Sequence, residues 1–173
     1  MKIAVFAAAA LLAAGSSHAE LVQNGGFDNG FANWSLSGNL GFLGIDGSGA
    51  AYFGAVGSDT VMGQDIATAS TGLFEIQFDL RSVGNGTSDF SVSFGGVDVF
   101  STANTEFGTT HYDFFANGTG AQTLLQFEAR NDPSYYYLDN VSVTAAVPEP
   151  ASIALLLAGV GVVGFSARRR AAR

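Results

Sequence analysis

The side chains of this sequence that could do chemistry are mainly carboxylates and aromatic rings. The chain of 173 residues has no cysteine, and His111 is the only histidine after the first 19 residues. One histidine cannot build a multi-histidine zinc site, and the absence of thiols removes thiolate metal sites and disulfides. His111 has no accompanying Gly-x-Ser-x-Gly motif, and no spacing of carboxylates singles out an acid and a nucleophile for glycoside hydrolysis. We therefore predict that the protein is not an enzyme.

Aromatic residues beside polar groups are the candidates for sugar binding, because such sites combine aromatic faces with hydrogen-bonding side chains. These candidates are Trp34, Tyr52 and the run Tyr135-Tyr136-Tyr137. Adjacent residues of a strand point to opposite faces, so Tyr136 is exposed if Tyr137 is buried. For Trp34, a place in the core is the competing interpretation. The sequence thus offers Trp34, Tyr52 and Tyr136 as glycan contacts.

The elements that must position these residues are short β-strands. From residue 20 to residue 144, runs of alternating apolar and polar residues are separated by Gly, Asn, Asp and Ser, the pattern of an all-β sandwich. The clearest run spans residues 72–81, and a hairpin is predicted around Gly95-Gly96. The side chains predicted to point inward in these runs are Phe74, Ile76, Phe78, Leu80, Phe90, Val92 and Phe94.

The last predicted strand carries a carboxylate among apolar residues. A single alternation places one set of side chains inward, namely Tyr137, Asp139, Val141 and Val143. A carboxylate on a buried row is costly unless it is hydrogen-bonded, paired or bound to a metal. Since the body has only two arginines, a cation is one candidate partner for Asp139.

The first 19 residues have the features of a secretory signal peptide. Lys2 precedes an apolar run that ends at Ala14, and small residues precede the predicted cut after Ala19. The run is shorter than the roughly 20 residues that a stable span needs. The body, residues 20–147, then holds fourteen of the 15 Asp and Glu residues against two arginines, a formal charge of −12. This charge repels nucleic acid phosphates.

The C-terminal residues 145–173 form a separate segment with three consecutive parts. The first is the motif Val147-Pro148-Glu149-Pro150, which its prolines hold extended. The second is the uncharged stretch 151–167, long enough for a single transmembrane helix. The third is the basic tail 168–173, which contains Arg168, Arg169 and Arg170. Arginines stay on the cytoplasmic side, so the body is predicted to lie outside the inner membrane.

This order of motif, span and arginines resembles the PEP-CTERM sorting signal of Gram-negative bacteria that make exopolysaccharide. The resemblance implies recognition by an exosortase, a membrane-embedded cysteine protease, which cuts at or near Pro148 to Pro150. The body is then released or transferred to the cell surface or the extracellular space. The alternative is a simple tail anchor.

The two ends of the body resemble the galactose-binding-like jelly rolls that are related to carbohydrate-binding modules. The residues that carry this resemblance are 21–28, with Trp34, and 137–143. In that family the N-terminal turn and the last strand lie side by side and often hold a structural Ca²⁺. Carried over by position, the resemblance makes Asp28, Asp139 and Asn24 candidate calcium ligands. The alternative is that Asp28 caps a turn and Asp139 bonds neighbouring backbone amides.

Together these observations predict a non-enzymatic protein of the surface or the extracellular matrix, associated with exopolysaccharide and biofilm. The alternative function is a stand-alone carbohydrate-binding module for a specific glycan. The expected partners are an exosortase, the inner membrane before processing and extracellular polysaccharide.

Overall fold

The computed structural model describes residues 19–84 and 86–146, in which ten β-strands and no helix occur. Five strands form a back sheet in the order β1-β4-β9-β6-β7, and five form a front sheet in the order β2-β3-β10-β5-β8. The back strands are β1 (Ser35–Gly38), β4 (Thr60–Ile66), β6 (Thr87–Phe94), β7 (Val97–Ala103) and β9 (Thr123–Asp132). The front strands are β2 (Leu43–Ile45), β3 (Ala51–Phe53), β5 (Leu73–Val83), β8 (Phe107–Asn117) and β10 (Tyr135–Ala145). All neighbouring strands are antiparallel.

The predicted jelly-roll β-sandwich is confirmed, and its alternating rows explain why. The even-numbered residues of β5 from Phe74 to Leu80 are buried, as are Phe90, Val92 and Phe94 of β6. Gly95 and Gly96 form the predicted turn between β6 and β7, with φ values of 62° and 79° that favour glycine.

The core between the two sheets is rich in aromatic rings. Phe78 of the front sheet meets Phe90 and Phe127 of the back sheet, with ring centroids 6.3 and 5.8 Å apart. Each fully buried phenylalanine stabilises the fold by about 1.5–3 kcal/mol relative to an exposed one. The sheets are therefore held together without disulfides.

The N-terminal segment runs beside the last strand, as the family resemblance implies. The Leu21 amide donates to the Val143 carbonyl at 2.9 Å, and the Val141 amide donates to the Gly25 carbonyl at 3.0 Å. A Cβ at Gly25 would lie 1.9 Å from the Val141 oxygen, so this approach requires glycine. These hydrogen bonds fix the N-terminal segment of the body against strand β10.

Strand β10 contains a bulge that corrects the predicted alternation. Its pairing with β5 shifts between Asp139 and Ser142, and Asn140 has a φ of 51°. The buried side chains of β10 are consequently Tyr136, Leu138, Val141 and Val143. The prediction that Tyr137 and Asp139 face the core was wrong, because the extra residue at the bulge changes the phase of the strand. Both side chains lie on the outer face of the front sheet, half-buried.

The predicted signal peptide and the predicted span, residues 151–167, lie outside the described residues, apart from Ala19. Within the part that is described, no helix is long and apolar enough to cross a membrane.

Candidate functional site

Three tyrosines form a cluster on the outer face of the front sheet. The tyrosine cluster consists of Tyr52, Tyr135 and Tyr137, all half-buried. Tyr52 packs edge-on against Tyr135 with ring centroids 5.4 Å apart, and Tyr137 lies 6.4 Å from Tyr52 and 6.2 Å from Tyr135. The cluster thus presents aromatic surface to solvent on a rigid sheet.

Two glycines make room for these rings. Gly44 of β2 pairs with Tyr52 of β3, and a Cβ at Gly44 would lie 2.3 Å from the Tyr52 hydroxyl. A Cβ at Gly54 would lie 2.4 Å from the Tyr135 ring. Since a larger residue at either position would displace a ring, the two glycines position the cluster.

Arg81 extends the cluster with a positive charge. It pairs with Tyr137 across β5 and β10, and its guanidinium carbon lies 3.9 Å from the centre of the Tyr137 ring. This is a cation–π contact. Among the described residues, no carboxylate lies within 4.0 Å of the Arg81 guanidinium. Its N–H donors are therefore available to a ligand.

A polar cleft of about 340 Å³ opens beside the cluster. Its lining residues are Asp46, Ser48, Ala50, Asp79, Arg81, Thr109, Tyr137, Asp139 and Asn140. Asp46 accepts hydrogen bonds from the Ser48 hydroxyl at 2.7 Å and from the Ser48 and Ala50 amides at 2.8 and 3.1 Å. The Ser48 hydroxyl and these amides hold the pKa of Asp46 below its ordinary value. Asp46 is thus a carboxylate held in one position in the lining of the cleft.

Asp79 is the second fixed carboxylate of the cleft. The Asn140 side-chain amide donates to Asp79 at 2.8 Å, and His111 Nδ1 lies 2.7 Å from the other oxygen. The hydrogen bond from Asn140 and then that with His111 lower the pKa of Asp79. Asn140 lies at the bulge of β10, and His111 is an exposed residue of β8.

The structure places the three predicted glycan contacts in different environments. Tyr52 belongs to the tyrosine cluster. Trp34 is buried between Phe27 and Phe127, and its Nε1 donates to the Asn24 carbonyl at 3.1 Å, which agrees with the core interpretation. The prediction of an exposed Tyr136 was wrong, because its side chain is 0% exposed and its hydroxyl bonds the Ser88 hydroxyl at 3.1 Å. Burial raises the pKa of Tyr136.

Two of the three predicted calcium ligands, Asn24 and Asp139, make hydrogen bonds within the chain. Asn24 Nδ2 donates to the Gly30 and Ala32 carbonyls at 2.9 and 3.0 Å, and its Oδ1 accepts the Asn29 amide at 3.1 Å. Asp139 Oδ1 accepts the Asn140 amide at 2.7 Å, and Asp28 is exposed. In residues 19–84 and 86–146, no group of three or more His, Asp or Glu side chains could hold a metal ion. The Asn24 side chain thus stabilises the turn, and calcium binding at Asp28, Asp139 and Asn24 stays a prediction.

Sequence reasoning missed Arg81, Asp79, Asp46 and the exposure of Tyr135 and Tyr137. One signal could have predicted the exposure of the tyrosines. Asn140 is of a residue type that tolerates positive φ, and a bulge there would make the step between the buried residues 138 and 141 three positions, not two. With that bulge, residues 136, 138, 141 and 143 point inward, and Tyr135 and Tyr137 point outward. The sorting motif residues Val147 to Pro150 and the stop residues Arg168 to Arg170 lie outside the described residues.

The outer face of the back sheet holds a different set of charges. Arg130 bonds Asp89 at 2.6 Å and lies 3.7 Å from Asp59. Desolvation raises the pKa of Asp59 and of Glu128, and neighbouring carboxylates raise both further. This arginine is occupied by carboxylates.

Comparisons with known proteins found similarities for both the C-terminal segment and the body. Residues 146–170 match the PEP-CTERM protein-sorting motif, which indicates export and membrane anchoring before processing. No curated protein matches the chain.

Several solved structures resemble the body. The structure of TmCBM61 in complex with beta-1,4-galactotriose has a TM-score of 0.56 at 14% identity, covering 74% of this chain and 99% of that one. A CBM4 structure has a TM-score of 0.55 at 15% identity, covering 72% and 99%. The K3 cleaved adhesin domain of Lys-gingipain from Porphyromonas gingivalis w83 has a TM-score of 0.54 at 14% identity, covering 75% and 99%. At these identities the similarity shows the fold, a jelly roll like that of carbohydrate-binding modules.

Proposed function

We propose that this protein is an exported, exosortase-processed protein of the cell surface or extracellular matrix that binds polysaccharide through the tyrosine cluster and does not catalyse a reaction. Its place would be in exopolysaccharide or biofilm, where a fixed protein can hold glycan chains. The observation that carries the proposal is the arrangement of three partly exposed tyrosines, Arg81 and fixed carboxylates on one face. A stand-alone module for one specific glycan would use the same face.

The composition of the site favours a sugar ligand for a physical reason. Sugar rings have apolar faces, which pack on aromatic side chains, and hydroxyl edges, which bond polar groups. Tyr52 and Tyr137 supply the aromatic part. Arg81 supplies donors, and Asp139 supplies acceptor oxygens beside the rings. The shallow cleft on an open sheet suits a chain that runs across the face.

The charge of the site favours neutral glycans over acidic ones. Three carboxylates, from Asp46, Asp79 and Asp139, line the cleft against the single charge of Arg81. The pKa values of Asp46 and Asp79 lie below their ordinary value, so both remain ionised at neutral pH. Because the body also carries −12 overall, polymers of uronic acids or sulfated sugars would be repelled.

The test is a binding measurement with the full chain in a non-glycosidic detergent. Isothermal titration with neutral oligosaccharides, including galactan, glucan and xylan fragments, should reveal at least one saturable ligand, and alginate fragments should bind more weakly. Tyr52→Ala and Tyr137→Ala should each lower the affinity about tenfold or more, equivalent to about 1.4 kcal/mol. Phe115→Ala is the matched control, because Phe115 is an exposed ring on the same sheet outside the cleft.

The proposal fails if no polysaccharide binds, or if the two tyrosine variants bind as tightly as the unchanged protein. Incubation of the bound glycan followed by detection of new reducing ends checks the non-enzymatic part. New ends that accumulate with time would show hydrolysis and contradict it.

A further inference from the structure

The chain leaves the body at one end of the sandwich, which we call the exit end. The Ala146 amide donates to the Leu73 carbonyl at 2.8 Å, and residue 147 follows directly. Two turns lie at the same end: the Gly95 amide donates to the Leu124 carbonyl at 2.8 Å, and the Gly118 amide donates to the Gly72 carbonyl at 2.9 Å. The last described residue thus emerges among these loops.

The exit end also carries exposed apolar side chains, which we call the apolar rim. Leu73 is 45% exposed, Val97 65%, Phe115 57% and Leu124 40%. Leu73 pairs with Asn117 and Phe115 pairs with Glu75, so Leu73 and Phe115 are diagonal neighbours on one face. Val97 and Phe115 line a common groove of about 440 Å³. Leu40, Phe42 and Val56 are exposed to a similar degree elsewhere on the body, and exposed apolar residues are ordinary. The group at the exit end differs because it lies where the chain continues toward the predicted span, which makes it a candidate contact surface.

The tyrosine cluster lies toward the opposite end. Strand β5 runs from Leu73 at the exit to Arg81, whose guanidinium lies over the Tyr137 ring, and eight residues of strand span about 26 Å. A surface that touches the exit end therefore leaves the tyrosine cluster free.

The length of the following segment limits the distance to the membrane. The predicted span begins at residue 151, five residues after Ala146, and five extended residues reach at most about 18 Å. While the chain is anchored, the exit end is held against the bilayer surface. The apolar rim is the part of the body that the anchor brings to lipid.

We propose that the apolar rim rests in the headgroup region of the bilayer before processing and holds the tyrosine cluster away from the membrane. The inference rests on the predicted anchor, not on glycan binding. Burial of Leu73, Val97 and Phe115 at the acyl boundary favours this orientation. Asp98 in the same groove and the body's charge of −12 oppose anionic lipids, so the expected surface is zwitterionic.

Because the chain has no cysteine, single cysteines can report the orientation without background. Leu73→Cys and Phe115→Cys, each labelled with a fluorophore, are compared with Leu40→Cys in full chain reconstituted into phosphatidylcholine vesicles. Leu40 is the matched control, since it is 46% exposed and precedes β2 near Asp59, at the opposite end of β4 from the exit. A quencher attached to lipid should reduce the signal at positions 73 and 115 at least about threefold more than at position 40.

Equal quenching at the three positions, or none at any, would overturn the inference. Quenching at 73 and 115 that appears only at high protein density would show contact between copies and would also contradict it. Adding anionic lipid should reduce the quenching at 73 and 115. Glycan titration of the same vesicles separates the two proposals, because loss of glycan binding with the quenching pattern intact affects only the proposed function.

Discussion

The two outer faces of the sandwich each carry one of the body's two arginines and use it differently. On the front sheet, Arg81 lies over the Tyr137 ring, at 3.9 Å, without a carboxylate within 4.0 Å among the described residues. On the back sheet, Arg130 bonds Asp89 and lies beside Asp59. The guanidinium of Arg130 is paired with neighbouring carboxylates, whereas that of Arg81 has no such partner among the described residues and could contact a ligand. The environment of its arginine therefore distinguishes the face proposed to bind glycan from the opposite face.

The carboxylates of the two faces differ in the same way. Asp46 and Asp79 on the front sheet accept hydrogen bonds from surrounding donors, and these bonds lower their pKa values. Asp59 and Glu128 on the back sheet are partly desolvated and close to other acids, which raises their pKa values. Hydrogen bonds thus stabilise the ionised carboxylates of the front face. On the back face, repulsion between neighbouring carboxylates and their desolvation disfavour the ionised form, and Arg130 reduces this repulsion at Asp59.

The largest expected effect separates Tyr136, which is buried in the core, from Tyr137, which is proposed to bind glycan. Tyr136→Ala should lower the free energy of unfolding by about 3–5 kcal/mol, because it empties a fully buried site beside Phe90. Tyr137→Ala, one residue further on, should change it by less than about 1 kcal/mol. Urea unfolding measures both. Similar losses for the two variants would mean that the phase of β10 differs from the one described.

The next effect compares the arginines. Arg81→Gln should weaken glycan binding about tenfold and leave the melting temperature nearly unchanged. Arg130→Gln should leave the affinity for glycan within about twofold of that of the unchanged protein. It should lower the melting temperature at pH 7, because Asp59, Asp89 and Glu128 lose the positive charge beside them. Lowering the pH toward 4 should restore part of that loss, since protonation removes the repulsion. Thermal melts and glycan titrations of both variants measure these effects. A loss of glycan affinity in Arg130→Gln similar to that in Arg81→Gln would contradict the assignment of binding to the front face alone.

Much of the fold follows from the sequence, but the site does so only in part. Strict alternation in 72–81 defines β5, because every second side chain there is large and apolar. The same rule fails in β10, where Asn140 adds one residue and reverses which of Tyr136 and Tyr137 is exposed. Asp46 and Asp79 are far apart in sequence and meet in one cleft only through the pairing of β3, β10 and β5. Local pattern cannot predict such pairings, so Tyr52 was the only predicted glycan contact placed in the cluster.

The smallest effect tests the electrostatic cost of the back face at one residue. The folded protein raises the pKa of Glu128 above its ordinary 4.5, chiefly through desolvation and then through Asp59 and Asp89. A group with a raised folded pKa contributes stability below its ordinary pKa and loses it as the pH rises through the folded value. Glu128→Gln should therefore stabilise the protein at pH 7, by at most about 0.5 kcal/mol, and the gain should vanish below pH 4.5. Glu75→Gln on the front sheet, opposite Phe115 and Thr144, removes the same charge away from the cluster around Arg130 and is the control. Thermal melts from pH 4 to pH 8 measure the difference, and an equal gain for both variants would assign it to overall charge rather than to the cluster around Arg130.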